Sequence, residues 1–380
     1  MSFSSLGISA SLINVLNNEN IIHPYPIQQE VIPAILNKKD VLGIAKTGSG
    51  KTASYVLPVL MNLQENNDTK NRHINALVLV PTRELAVQVG EVFQLFCSEL
   101  PNRVKSLAVY GGVSINPQMM ALQGVNILIA TPGRLLELVE ANAVHLSSIE
   151  TLVIDEADKM LNLGFSDEIT RIFALLPKKR QNLLFSATLS NDVSNIKQVL
   201  LHNPLVINIE SDKDNIDLIT QKAYFVSEER KGPLLRYLIK TNNLNQVLVF
   251  TSSIYKADNV VDKLRKNGVE AIAIHGKKSQ SARTQALEKF KSGKLRVLVA
   301  TDLLSRGIDI EFLPYVINYE LPRSPKDYIH RIGRTGRAES SGEAISFITP
   351  NDKHHFKIIQ KKMGKWVNMI NSQDFDLHGF

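Results

Sequence analysis

Short unbroken runs of apolar residues, each followed by a helix-length stretch, recur along this 380-residue chain and constrain its fold more than any other feature. In the first half they are Val41–Ala45, Ala76–Val80, Leu107–Tyr110, Ile127–Ala130, Thr151–Ile154 and Asn182–Phe185. The second half repeats the rhythm with Ala223–Val226, Val247–Phe250, Ala271–Ile274, Val297–Ala300, Tyr315–Tyr319 and Ala344–Ile348. Most are continuous Val, Leu and Ile rather than alternating, as strands covered on both faces require. Strands separated by helices imply parallel sheets joined by right-handed crossovers. The reading is an α/β protein of two doubly wound parallel-sheet domains in tandem.

The seam falls at 209–220, where Glu210, Asp212, Asp214 and Asp217 crowd a stretch with little to pack. A charge run of this kind is a solvated loop, and it separates two complete strand–helix series. The domains are then 1–208 and 221–365, with 209–220 a linker that lets their orientation vary and 366–380 a short tail. A hydrophobic fraction of 44% with 21% charged residues excludes disordered, collagenous and coiled-coil chains. No apolar run approaches the ~18 residues of a membrane helix, and Met1–Ser5 lacks the basic stretch that opens a signal peptide. A single cysteine, Cys97, excludes a disulfide framework and a thiolate metal cage, and fits a reducing cytosol. Charge is uneven. Residues 1–220 carry 17 Lys and Arg against 21 Asp and Glu, whereas 221–380 carry 27 against 16. A polyanion touching the second half and a solvated basic surface explain this equally well.

Ala45-Lys46-Thr47-Gly48-Ser49-Gly50-Lys51-Thr52 follows the first strong strand and opens a helix-like segment. Small residues here let backbone N–H groups curl around phosphate oxygens at a helix N-terminus. Lys51 adds a point charge between the terminal phosphates, and the Thr52 hydroxyl is placed to ligate Mg²⁺. Asp155 closes the run Thr151–Ile154 and is followed by Glu156, Ala157 and Asp158. Alone, these acids suit a helix N-terminus, where the dipole favours them. Beside a phosphate loop they form a nucleoside-triphosphate hydrolysis site: Asp155 to hold Mg²⁺ through water, Glu156 to accept a proton from the attacking water.

Asp155-Glu156-Ala157-Asp158, together with the phosphate loop, resembles the DEAD-box ATP-dependent RNA helicases of superfamily 2, and the other signatures come in that family's order. They are Pro24…Ile27-Gln28, Pro81–Ala86, Gly111-Gly112, Thr131–Arg134 and Ser186-Ala187-Thr188, then Val249–Thr251, Gln280…Arg283, Ala300–Asp302, Arg306–Asp309 and His330–Arg337. The matches run from Phe3 to about Ile348. The resemblance implies two RecA-like domains and an RNA-stimulated ATPase that uses Mg-ATP. It implies that Gln28 reads the adenine edge, with Phe3 packing near the base, and that Asp309 bonds the ribose. Ser186, Thr188 and His330 would join Asp158 in coupling the nucleotide to strand separation. Arg334 and Arg337, three residues apart in a turn of helix, resemble arginine fingers, whose forked donors suit a transferring phosphoryl group.

The same resemblance assigns RNA contacts to Pro81, Thr82, Arg83, Gly112, Thr131, Arg134, Gln280, Arg283 and Thr301. These residue types bond sugar and phosphate and read no base edge, so single-stranded or short duplex RNA would be bound with little sequence preference. The pattern departs from the family at Tyr25, in place of a small hydroxyl residue, at Asn20, in place of a frequent Gly, and at Leu303 and Leu304, where small residues are usual. The expected protein is a cytoplasmic monomer that clamps RNA between its domains and locally separates short duplexes, with ribosomal or ribonucleoprotein targets. The rivals are an RNA clamp or ribonucleoprotein remodeller with little unwinding, and a P-loop kinase or nucleotide switch.

Overall fold

The computed structural model describes residues 1–45, 48–65, 74–189, 191–209, 219–301, 313–336 and 342–380. The chain divides into two compact units, Met1–Ser211 and Asp212–Phe380. In the first, helices α1 (Ala10–Asn18) and α2 (Pro26–Leu36) precede β1 (Val41–Ile44) and α3 (Lys51–Glu65). Then come β2 (Ala76–Leu79), α4 (Arg83–Cys97), β3 (Ser106–Val109), α5 (Ile115–Ala121), β4 (Ile127–Ala130) and α6 (Pro132–Glu140). The unit continues through β5 (Thr151–Ile154), α7 (Ala157–Asn162), α8 (Ser166–Leu175), β6 (Gln181–Ser186), α9 (Asn191–Leu200) and β7 (Leu205–Asn208).

The second unit runs β8 (Ile219–Phe225), α10 (Lys231–Thr241), β9 (Val247–Thr251), α11 (Ile254–Lys266), β10 (Ala271–Ile274), α12 (Gln280–Lys291) and β11 (Val297–Thr301). After it come β12 (Tyr315–Asn318), α13 (Pro325–Ile332), β13 (Gly342–Ile348), α14 (Lys353–Met363) and β14 (Met369–Asn371). Local chemistry sets the helix starts. Pro26 occupies the first turn of α2, where its missing N–H costs nothing. Thr82, Ser253 and Ser279 each accept a backbone N–H at the starts of α4, α11 and α12.

Among the described residues each unit contains a seven-stranded sheet, ordered β3-β4-β2-β5-β6-β1-β7 and β10-β11-β9-β12-β13-β8-β14. Counted from each unit's own first strand, the two orders are identical, and the pairings are parallel. Successive strand residues split between two cores. Val41, Val78, Ile129, Val153 and Phe185 join one cluster, whereas Leu42, Leu77, Leu128, Leu152 and Leu184 join another. That alternation is the pleat seen from both sides, and it explains why the strands read as unbroken apolar runs.

Two strands escape the sequence reading, β7 and β14. Both are seventh strands at a sheet edge, and most of their side chains are exposed, so neither carries the two-sided burial that marks the others. Residues 366–380, expected as a tail, therefore supply a strand paired to β8. Asn20 has φ 58°, a left-handed conformation that Asn tolerates better than other side chains, which accounts for it where Gly is frequent. Leu303, Leu304 and most of 209–220 lie outside the described residues.

Cys97 closes α4, half-buried, and burial pushes its thiol up to about 11. Only the thiolate is nucleophilic, so alkylation by iodoacetamide at pH 8 should run roughly a hundredfold slower than on a free thiol. The rate should still be climbing at pH 10, which mass spectrometry of the modified chain would show.

Candidate active site and nucleic-acid edge

Because the strands of the first unit are parallel, the loops that leave β1, β2, β3, β4, β5 and β6 all emerge at one edge of the sheet, where ligands of open α/β sheets bind. Among the described residues, the site residues expected within 45–188 fall at the ends of those strands, on those loops or at the helix starts they lead into. The opposite edge holds a separate cleft of about 540 Å³, lined by Lys38, Asp40, Arg180 and His202.

The phosphate loop leaves β1 and enters α3 at Lys51. Lys46 and Thr47 lie outside the described residues; Ala45 and 48–52 do not. Gly50 has φ 85°, and a Cβ there would come within 2.6 Å of the Gln28 amide nitrogen and 2.9 Å of the Tyr25 ring. Only glycine fits. Buried Lys51 donates through Nζ to the Ala45 carbonyl at 2.6 Å, spanning the loop from end to start. An ammonium already held inside the loop needs little reordering to meet a phosphate.

Gln28 ties this loop to α2. Its side-chain carbonyl accepts from the Tyr25 N–H at 2.9 Å, and its amide donates to the Gly50 carbonyl at 3.1 Å. One amide hydrogen and one carbonyl lone pair remain, a donor and an acceptor side by side. Phe3 is not offered to a base. It is only 3% exposed and is spent in the core with Leu6 and Ile8. The exposed ring beside the loop belongs instead to Tyr25, at 52%, a residue that the sequence reading took only as a departure.

Asp155 and Glu156 leave β5 buried. The Asp155 carboxylate accepts from the Tyr55 hydroxyl at 2.9 Å and from the Glu156 N–H at 2.8 Å. Each oxygen keeps a lone pair. With the half-buried Thr52 hydroxyl one residue past Lys51, the set suits Mg²⁺, which takes one or two protein oxygens and keeps its waters. Glu156 sits at φ 53°, ψ 47°, a left-handed strain found at functional sites. One Glu156 oxygen pairs with Lys159, and the other is buried with no hydrogen-bond partner. Burial raises the Glu156 carboxyl above its usual range, and Lys159 holds it back. A carboxylate so placed is a poised proton acceptor. Thr188 donates to Asp158 at 3.0 Å, and Ser186 donates to the Thr188 carbonyl at 2.8 Å. The expected coupling residues of this unit therefore form one chain.

The loops after β2, β3 and β4 interlock. Gly112, φ 74°, lies so close to the Arg83 guanidinium that a Cβ would sit 2.1 Å from it. Arg134, nearly buried, donates to Glu137 at 2.8 Å and to the Val113 carbonyl at 2.7 Å. It braces the Gly111-Gly112 turn, while its second terminal nitrogen is buried without a partner. Thr82 caps α4 through its hydroxyl, Pro81 is buried ahead of it, and Thr131 precedes α6 with its side chain free of a capping bond.

In the second unit Thr301 ends β11, and Gln280 and Arg283 stand in the first turn of α12. Arg334 lies elsewhere. Its carbonyl accepts from Leu313, ahead of β12, and Thr335 bridges to the same residue, at the other end of the sheet from Thr301. The expectation that Arg334 and Arg337 share a turn of helix fails here. α13 stops at Ile332 and is capped by Gly333, so Arg334 stands in an irregular connection. Arg337 and Asp309 lie outside the described residues, and His330 is half-buried on α13. Arg331, within the same His330–Arg337 run, is 1% exposed. It is spent on Asn318, the Glu320 carbonyl and the Phe250 ring.

The matching strand order puts β8 where the first unit has β1, and α10 begins with Lys231 as α3 begins with Lys51. No small-residue loop precedes it. Glu228 stands there and pairs with Lys231 at 2.9 Å and with Lys256 at 2.6 Å. A carboxylate in that place repels phosphate, so this geometry leaves triphosphate binding to the first unit.

Sequence reasoning missed Tyr55 and Lys159. Tyr55 had a signal: it lies four residues past Lys51, on the same helix face. Its ring packs on Phe185 at 5.2 Å. Burial, reinforced by the Asp155 charge, raises its hydroxyl well above the usual range, which keeps it a donor. Tyr55→Phe should destabilise the first unit by about 1–3 kcal/mol. Urea unfolding followed by circular dichroism is the measurement, since the single tryptophan, Trp366, lies in the other unit.

The DEAD/DEAH box helicase family model matches residues 25–196, and the helicase conserved C-terminal domain model matches 230–339. A Listeria monocytogenes protein named ATP-dependent RNA helicase CshA is 38% identical over 375 residues, 98% of this chain and 71% of its own length. The ATP-dependent rRNA helicase rrp3 of Sclerotinia sclerotiorum is 40% identical over 367 residues, 96% of this chain and 75% of its own. Among solved structures, S. cerevisiae Dbp5 bound to RNA and ADP BeF3 superposes with a TM-score of 0.85 at 29% identity, covering 98% of this chain and 96% of that one. A DEAD box protein from Methanococcus jannaschii gives a TM-score of 0.54 at 36% identity, covering 97% and 99%.

Proposed function

The chain belongs to the DEAD-box family of ATP-dependent RNA helicases, and from that premise we propose that it works as an ATP-gated clamp that locally separates short RNA duplexes. The observation that carries this reading is the shared edge of the first sheet. Lys51, Asp155 and Glu156 stand on it together with Thr82, Arg83, Gly112 and Thr131, so a nucleotide and an RNA strand meet the same set of interlocked loops.

In this mechanism Lys51 and the loop amides bind the phosphates, Gln28 pairs with the adenine edge, and Tyr25 covers the base. Mg²⁺ supplies charge neutralisation on the phosphates when held by Asp155 and Thr52. The second unit contributes Arg334 and Arg337 to the γ-phosphate and Asp309 to the ribose. RNA lies on the first unit's loops and on Gln280, Arg283 and Thr301. ATP and RNA each bind both units, so each favours the closed state and helps the other. The bound strand is held in a shape that a duplex cannot keep. Glu156 accepts a proton from the water that attacks the γ-phosphorus, the bond from that phosphorus to the β–γ bridging oxygen breaks with ADP as the leaving group, and once the phosphate contacts are lost the clamp opens. Asp158, Thr188, Ser186 and His330 carry the change between nucleotide and RNA. The targets are RNAs of ribosomal or other ribonucleoprotein particles, and the protein acts as a monomer in the cytoplasm.

Glu156→Gln should lower ATP turnover by on the order of 10²–10⁴-fold and accumulate a long-lived complex with ATP and RNA. Normal turnover by this variant in a phosphate-release assay would remove Glu156 from its role. Arg334→Ala should lose roughly a thousandfold in turnover while binding ATP within a few-fold of the parent. Calorimetry showing a deep loss of ATP affinity would make Arg334 a ground-state ligand.

A further inference from the structure

Residues 353–373 contain five lysines and two histidines and not one Asp or Glu. Helix α14 buries Phe356, Ile359, Gln360 and Met363 against the second unit. The opposite face presents Lys357, Ile358, Lys361 and Lys362 to solvent. Lys357 and Lys361 are one turn apart, about 6 Å along the axis. Among the described residues Lys357, Lys361 and Lys362 have no ion-pair partner. The helix dipole favours cations in a last turn, which accounts for Lys361 and Lys362 but not for Lys357.

Past the end of α14 stands Trp366, 71% exposed, although a ring of that size gains most from burial. It is held in place. Gly364 turns the chain at φ 71°, Gln360 accepts the Val367 N–H through its side chain at 2.7 Å, and β14 then pairs with β8. An exposed indole on a braced segment, a few residues past a row of lysines, is the pairing with which proteins hold single-stranded nucleic acid, base on ring and phosphates on cations.

We propose that Lys357, Lys361, Lys362 and Trp366 form a second contact for single-stranded RNA. Charge complementarity names the occupant: a strip with no carboxylate for 21 consecutive residues, in the basic half of the chain, fits a polyanion with flat bases. α14 leaves the end of β13 and runs back to the start of β14, so Trp366 lies at the edge of the second sheet away from Thr301. The contact therefore holds RNA flanking the segment acted on, and it tethers substrate without entering the chemistry. This inference rests on the RNA activity proposed above.

The chain has one tryptophan, so its emission reports this contact alone. Titration of the intact protein with oligo(U) RNA should quench Trp366 over the range that stimulates the ATPase. Unchanged emission at RNA concentrations that saturate the ATPase overturns the proposal. In a K357Q/K361Q/K362Q variant, turnover at saturating RNA should match the parent, the half-saturating RNA concentration should rise roughly tenfold, and the slope of log affinity against log salt should lessen by about 2. Trp366→Ala, read by anisotropy of labelled RNA, should weaken binding roughly tenfold with its salt slope unchanged. Parental half-saturation in both variants, or quenching by an acidic peptide and not by RNA, also overturns it. A parent enzyme whose ATPase ignores RNA would instead sink the clamp reading, and Trp366 quenching would survive that result.

Discussion

An all-parallel sheet has to be covered on both faces, and its strands can be joined only by crossovers that return to the same starting edge. That constraint organises everything else in this chain. The crossovers bring every strand end, and with it every loop that departs from one, to a single edge of the sheet. Residues as far apart in sequence as Lys51, Arg83, Arg134, Asp155 and Thr188 come to one edge for this reason. The chemistry needs that crowding, because a phosphate loop without a carboxylate beside it binds and does not hydrolyse.

Burial then decides what each charged group can do. Asp155 is buried with a donor on each carboxylate oxygen, the Tyr55 hydroxyl on one and its neighbour's amide on the other. Glu156 has Lys159 on one oxygen and nothing on the other, an arrangement costly in stability and useful for taking a proton. The two units show how little separates a nucleotide site from its absence. They share a strand order, yet Glu228 stands where the first unit has a loop of small residues, and its ion pairs take up the lysine that starts the helix. One fold drawn twice has been given two different chemistries by a few side chains at one loop.

Much of this was legible beforehand, and the parts that were not share a cause. Strands buried on both faces announce themselves, because a run such as Ile127–Ala130 has no polar residue to confuse its period. Edge strands with most of their side chains exposed lack that mark, so β14 passed for a tail. The phosphate loop and Asp155-Glu156 could be proposed from the sequence because their chemistry depends on contiguous residues. Tyr55, Lys159 and the bracing role of Arg134 could not, since each acts through a partner chosen by folding. Arg331 and Phe3 show the same limit from the other direction. A guanidinium and an aromatic ring look available in a string of letters, and both are used up in the interior.

The amino-acid sequence by itself determined the fold class and the tandem repeat and singled out a candidate phosphate loop, because periodicity and short-range loop chemistry depend on neighbours along the chain. Tertiary structure alone decided which of the candidate side chains remain free to meet a ligand. Burial and hydrogen bonding are settled between residues that only the crossovers bring together, as when Tyr55 meets Asp155 a hundred positions away.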